Sequence, residues 1–555
     1  MPSPANPERT APMITISGSD LRIADIAAVA RGAPVRLADD ADTTARIEAS
    51  RAYIQDAVDA GRAIYGVTTL FGGMADQYIP PELAAQLQQN LVFHLSATAG
   101  DLLPVPDVRA ALLLRANSLM RGVSGIRLEI LQRFATFLNA GATPLVHELG
   151  SIGASGDLIP LAYMAGALTG VSADYKVDLR GQVMDSPAAL SQLGLKPIPL
   201  AAKEGLALAN GTSVCTGVAA NCLDRTRYLL AIALGVHAIY IQALTGTAHS
   251  FDPFIHEHKP HPGQVRTARE MARLLAGSKL TFDAVHGDIE SRRGRLVQDR
   301  YSLRCLPQFL GPIIDGVNQI AGSIEIEANS ANDNPLIDVA GDFIHHGGNF
   351  LAQYTAVGMD QLRYHLGMVA KHLDVQIALL VEPAFNNGLP PCLVGNPEHR
   401  TNLGLKALQT AGNSIMPLIS WYGNSLADRF PTHAEQFNQN VNSQGMGSAL
   451  LARRSLDLLE HYLANALIFA VQAADLRSQR VAGTCDARGT LSPATAALYE
   501  AVRAVLEVPP SDSRPLIFDD RDQFLGGYVA RVIGDLRARA HVAAAVGTVT
   551  ANLFH

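Results

Sequence analysis

Two long apolar series constrain this chain more than anything else in it. Leu362, Leu366, Val369, Leu373, Ile377 and Leu380 follow one another at steps of three or four residues, and Leu456, Leu459, Leu463, Leu467 and Val471 repeat the pattern. Residues at that spacing share one face of an α-helix. Both runs predict helices beyond the usual length of roughly 8–20 residues. Such helices bury their stripes against one another, so a mainly α fold with a long central helical bundle is expected.

The rest of the chain agrees with a large, intimately folded subunit. A length of 555 residues would allow roughly three or four domains, yet no Ser/Gly or charge-block linker offers a place to cut, and no internal repeat is visible. Shorter helices are expected near Ala45–Ala60, Pro106–Arg121 and Gly125–Asn139, with a loop at "YGVTTLFGGMADQYIPPE" and a small strand-containing patch over Val177–Leu200. Charged residues are only 17%, which suggests surface buried between subunits. The net charge of −7 and the lack of a basic stripe give no reason to expect nucleic acid. Five cysteines at Cys215, Cys222, Cys305, Cys392 and Cys485 have neither metal nor redox spacing. The N-terminus lacks the pattern of a signal peptide. Tyr228–Phe251 has no charged residue, but His237 and Gln242 favour a buried bundle helix over a membrane span. A cytoplasmic protein with no membrane partner is the expectation.

Chemistry should lie in the irregular polar stretches between the helices. "GSIGASGDLIPLAYMAGALTG" (150–170) places Ala154, Ser155 and Gly156 together before an apolar run. Read alone, this is a turn leading into a helix. Elsewhere Tyr65 sits in a glycine-rich loop, Asn210 precedes a helix, and Gln298, Tyr301 and Arg304 fall in "QDRYSLRCLPQ". Tyr301 and Arg304 are three apart, so one helical turn would present both on one side. Asn332 and Asn334 lie in "NDNPLID", and "HAEQFNQNVNSQG" holds Glu435 and Gln439. Taken singly these residues read as a half-buried aromatic, an ion-paired arginine and a solvated helix start. The set gains meaning from occurring with the Ala-Ser-Gly tripeptide.

That set, "GSIGASGDLIPLAYMAGALTG", "YGVTTLFGG", "NGTSV", "QDRYSLRCLPQ", "DNPLID" and "FPTHAEQFNQNVNSQG", resembles the aromatic amino acid ammonia-lyases acting on phenylalanine, tyrosine or histidine, and the related aminomutases. The length is that of bacterial members. The resemblance implies a fumarase/aspartase-like helical bundle, with a smaller N-terminal region over 1–205 bearing the electrophile-forming loop, a long-helix bundle over 206–480 and C-terminal helices over 481–555. It also implies that Ala154, Ser155 and Gly156 condense without help into a 4-methylidene-imidazol-5-one, an electrophile that makes the substrate amine a better leaving group. No metal or external cofactor is then needed. Tyr65 would be the base for the β-proton, Asn210 and Tyr301 would orient the electrophile, and Arg304 with Asn334 would grip the substrate carboxylate. Leu91, Gln298, Phe350, Lys406, Glu435 and Gln439 would line the pocket, with Glu435 near the substrate amine. Active sites shared between chains of a homotetramer are also implied.

The same resemblance makes His94-Leu95 the pair facing the substrate ring, and His-Leu goes with tyrosine. An imidazole can bond a para-hydroxyl, so tyrosine or 3,4-dihydroxyphenylalanine should be preferred and phenylalanine slower. Leu70 in "TTLFGG" departs from the glycine usual there, which bears on ring preference and on lyase against mutase outcome. The cluster His249, His256, His258 and His261 fits no zinc spacing and reads as a surface loop. Three rivals remain: an aromatic 2,3-aminomutase, a fumarase/aspartase-type lyase whose "GSSxMPxKxN" loop is missing, and an inactive helical assembly protein, which would be expected to have lost Ser155 or Tyr65.

Overall fold

The computed structural model describes residues 12–282, 296–429 and 433–554. The first eleven residues, read above for a leader, and Phe430–Thr432 of the "FPTHAEQ" motif lie outside them. Nineteen α-helices and seven short strands make up the described residues, so the fold is mainly α. The two apolar series fall in helices Gln353–Val381 and Gly445–Ala482, and every residue of both is at most 3% exposed. The charge-free stretch from Tyr228 belongs mostly to helix Ser213–Ala243. No helix among the described residues is long and apolar enough to cross a membrane.

The chain forms two compact units, each assembled from three stretches. One comprises Met1–Asp224, Ile320–Asp360 and Ser425–Arg453; the other comprises Arg225–Gln319, Gln361–Asn424 and Arg454–His555. Four helices, Ser213–Ala243, Leu306–Ala328, Gln353–Val381 and Gly445–Ala482, contribute residues to both. The units are therefore interleaved along the sequence rather than consecutive.

The first unit holds all the strands. Ile14–Ile16 pairs in parallel with Val35–Leu37, and Ala142–Pro144, Lys176–Leu179 and Gln182–Asp185 form an antiparallel sheet. Asp185 then accepts from the Ala188 amide and opens a helix at Ser186, so the expected strand patch is a hairpin followed by a helix. Asp40 caps helix Ala41–Asp59 in the same way, as a short acceptor at a helix start should. Gly141 and Gly170 end two helices in the left-handed conformation, where glycine has no Cβ penalty.

The second unit has no strand among its described residues. The histidine run is a surface segment as expected at His249, His258 and His261, which are exposed, but it is built around short helices rather than as one loop. Asp252 accepts from the Phe254 amide and Pro253 starts helix Pro253–Glu257, while Pro262 starts helix Pro262–Leu275; proline is favoured at a first helical position. His256 is 1% exposed, bonded to Ser250 O and to Gln264.

A buried ion pair sits at the centre of the first unit. Lys203 Nζ and Asp333 Oδ2 are 2.8 Å apart with both side chains fully buried. Ser124 donates to the second oxygen of Asp333. Lys203 opens the short helix Glu204–Ala209 that ends at Asn210, and Asp333 adjoins Asn334. The pair therefore pins two polar residues of the pocket at once. Lys203→Met, which strands the carboxylate, should destabilise the fold by about 3–5 kcal/mol, read from chemical denaturation; Lys203→Met with Asp333→Leu should recover most of that loss.

Candidate active site

The tripeptide is built into the backbone of the first unit. Gly156 pairs with Gly211 in an isolated parallel bridge, and the Asp157 amide donates to Gly211 O at 2.7 Å. Gly156 has φ +67°, and a Cβ there would lie 1.9 Å from Gly211 O. No other residue fits. The Asp157 carboxylate accepts from the amides of Val214 and Cys215, in the first turn of helix Ser213–Ala243, and from Ser151 Oγ. Burial pushes this carboxyl up and those hydrogen bonds oppose the shift. On the other side Ser443 Oγ donates to Gly153 O at 2.9 Å, and the Gln444 amide donates to Ile152 O at 3.0 Å.

In front of the tripeptide lies a cavity of about 810 Å³. Tyr65, Leu91, His94, Leu95, Ala154, Ser155, Asn210, Asn334, Phe350, Glu435 and Gln439 all line it. Gly156, the next residue in the chain, is not part of the lining. Helix Ala84–His94 carries Leu91 and His94 three residues apart, hence on one face. Leu91 and Leu95 pack with Ala162, Leu206 and Ala209, and Tyr65 and Phe71 rest on that cluster. Asn210 Nδ2 donates to Ser155 O at 2.9 Å, and Gln439 Nε2 donates to Ser155 Oγ at 2.9 Å. Asn334 Oδ1 accepts from the Gly347 amide at 2.7 Å and so braces the wall formed by His346, Gly347 and Gly348.

The Glu435 stretch is not the start of a helix. Glu435, Gln436 and Phe437 all have positive φ, between 48° and 64°, and Ala434 and Gln439 exchange both backbone hydrogen bonds across the loop. Left-handed backbone at non-glycine residues costs on the order of 1–3 kcal/mol each and gathers at functional sites. Gly72, at φ +58°, leaves room for this loop: a Cβ on it would lie 1.8 Å from Glu435 Oε2.

The electrostatics are those of a partly buried pocket. Tyr65 Oη accepts from the Gly72 amide at 2.9 Å. Burial nevertheless pushes its phenol above the ordinary tyrosine range, and the nearby Glu435 adds to the rise. Glu435 is itself pushed up by burial, against a lowering influence of His94. Among the described residues no Lys or Arg lines the cavity.

Gln298, Tyr301, Arg304 and Lys406 belong to the second unit and do not line the cavity. Tyr301 and Arg304 do share one helical turn, with the guanidinium carbon 4.5 Å from the Tyr301 ring centre. Tyr301 is 72% exposed. Sequence reasoning missed Gly72, Asp157, Gly211 and His346. Asp157 and Gly211 directly follow Gly156 and Asn210, so their positions were the available signal. Nothing in the sequence marks Gly72 as the neighbour of Glu435.

A profile of the family described as aromatic amino acid lyase matches residues 21–504. The chain belongs to that family. It is 55% identical to a phenylalanine ammonia-lyase of Nostoc punctiforme over 98% of this chain and 95% of the relative. It is 51% identical to an aromatic ammonia-lyase of Loktanella atrilutea, covering 97% and 99% of the two chains. Among solved structures, a tyrosine aminomutase from Streptomyces globisporus superposes with a TM-score of 0.86 at 31% identity, covering 96% of this chain and 98% of that one. The lyase is thus an enzyme that breaks carbon–nitrogen bonds, of the ammonia-lyase and aminomutase kind.

The close fit at Gly72 yields a test. Gly72→Ala must displace Glu435 and disturb the amide on Tyr65 Oη. Turnover should fall by about 100-fold, the scale of a misplaced catalytic group, with helical circular dichroism unchanged.

Proposed function

We propose that the lyase removes ammonia from an aromatic L-amino acid without oxidation, giving a trans-arylacrylate, and that it prefers tyrosine or 3,4-dihydroxyphenylalanine over phenylalanine. One observation carries the reading: a Ser155 held by Asn210 and Gln439 faces a cavity that Tyr65 also lines. The residues fit a 4-methylidene-imidazol-5-one formed from Ala154, Ser155 and Gly156. A side chain at Gly156 would block the approach, and Asn210 already bonds the Ser155 carbonyl oxygen that the ring would retain. The ring would supply the electrophilic carbon that turns the substrate amine into a leaving group.

The chain's own residues do the rest. Tyr65 takes the β-proton as phenolate. Leu91 and Leu95 close around the aromatic ring, and Glu435 stands near the amine. His94 has no hydrogen bond to any described residue, which leaves its imidazole for a para-hydroxyl. A substrate carboxylate calls for a cation, and among the described residues the cavity lining holds no Lys or Arg. On the family resemblance, Arg304 and Lys406, with Gln298 and Tyr301, would come from other copies in a homotetramer. Exposed apolar residues support this assembly: Tyr354, Val357, Tyr364 and Val375 of helix Gln353–Val381, and Leu418 and Trp421 of helix Lys406–Tyr422, are 42–72% exposed. Apolar surface of that kind marks a binding face. No disulfide joins the five cysteines, which fits a reducing cytoplasm.

The test is incubation of purified protein with tyrosine, 3,4-dihydroxyphenylalanine, phenylalanine and histidine. Arylacrylate is followed by ultraviolet absorbance, and chiral analysis detects any β-amino acid from a mutase. His94→Phe should move the tyrosine-to-phenylalanine ratio of kcat/KM toward phenylalanine by about 10-fold, the scale of one lost hydrogen bond; an unchanged ranking would remove the selectivity argument. Because the phenol must ionise from a raised pKa, kcat/KM should climb toward alkaline pH. Tyr65→Phe should lower turnover by about 10²–10⁴-fold and abolish that climb, while the chain keeps its two-water mass deficit.

A further inference from the structure

Ser155 is held by its hydroxyl as well as by its carbonyl. Gln439 Nε2 lies 2.9 Å from Ser155 Oγ and 3.1 Å from Glu435 Oε1. A carboxamide nitrogen carries two hydrogens, and these two acceptors use both. Glu435 Oε1, by accepting the second hydrogen, fixes which end of the amide faces Ser155: the nitrogen, not the oxygen. Glu435 in turn is hemmed in by Gly72 and by the left-handed run that begins with it. Among the described residues no other group bonds Ser155 Oγ.

We propose that Gln439 is a catalytic residue of the chain's own cyclisation, donating to the Ser155 hydroxyl as that oxygen leaves, with Glu435 the positioning residue that orients the amide. The proposal rests on the ring assigned above and adds the group that helps to make it. In the first step Gly156 N bonds to the Ala154 carbonyl carbon. The carbonyl oxygen departs as water with one hydrogen from Gly156 N and one from Ser155 N, leaving a double bond between Ser155 N and Ala154 C. In the second step the Ser155 Cβ–Oγ bond breaks. The Cα proton passes to solvent, its electron pair becomes the Cα–Cβ double bond, and the departing hydroxide takes a proton from solvent. The sum is a second water. Negative charge grows on Oγ during this step, and a fixed donor aimed at a growing charge lowers the barrier.

The experiment follows the intact mass of the full chain with time after cell-free synthesis. Wild type should lose two water molecules. Gln439→Leu keeps the bulk and removes the donor; its mass loss should be at least about tenfold slower, the effect of one charge-assisted hydrogen bond. Gln439→Glu donates only when protonated, so its mass loss should be faster at about pH 5 than at about pH 8, on either side of a raised carboxyl pKa. Circular dichroism checks that each variant is helical, and if Gln439→Leu does not fold, the pH response of Gln439→Glu alone decides. A wild-type chain that keeps its full mass overturns the ring itself. Wild-type loss with an unchanged rate in Gln439→Leu overturns only the role of Gln439. Slow loss in both variants with no pH response in Gln439→Glu also overturns it, leaving Gln439 a packing residue.

Discussion

The contact between Gly156 and Gly211 governs the site. Two backbones meet where neither has room for a side chain: a Cβ on Gly156 would strike Gly211 O at 1.9 Å, and one on Gly211 would strike Arg115 Nη1 at 2.0 Å. The Asp157 amide seals the approach, and its carboxylate ties the same point to the start of a 31-residue helix. The tripeptide is thus anchored to the scaffold by main chain, which cannot change rotamer. Sites on rigid elements hold their geometry better than sites on loops.

Around that anchor the described residues of the first unit supply shape and proton acceptors but no Lys or Arg in the cavity lining. Burial there favours the neutral forms of Tyr65 and Glu435. Ionising a phenol there and holding a substrate carboxylate both call for cations, and in a low-dielectric pocket a cation acts more strongly than in water.

Much of this was legible in the sequence. The long helices could be read because their stripes repeat at helical spacing through Leu380 and Val471, and periodicity survives any detail of packing. The pocket residues were placed by motif resemblance, and eleven of them line one cavity. Local chemistry misled where backbone geometry overrode composition. The Glu435 stretch reads as a polar helix start, yet it is a left-handed turn shaped by Gly72 far away in sequence. The histidine run reads as a loop, yet its Asp-Pro and His-Pro pairs start helices. The interleaving of the two units could not be read at all, because it depends on where long helices end in space rather than on any linker.

The hydrogen bond between Gln439 and Ser155 joins residues 284 positions apart. Synthesis delivers Ser155 long before its partner emerges. A growing chain therefore carries the three small residues as ordinary peptide for more than half of its translation, with the closing loop still unmade. If Gln439 assists the cyclisation as proposed, the reactive carbon would form fastest only once the pocket around it is complete, which would keep a strong electrophile away from the amines of the ribosome and its surroundings.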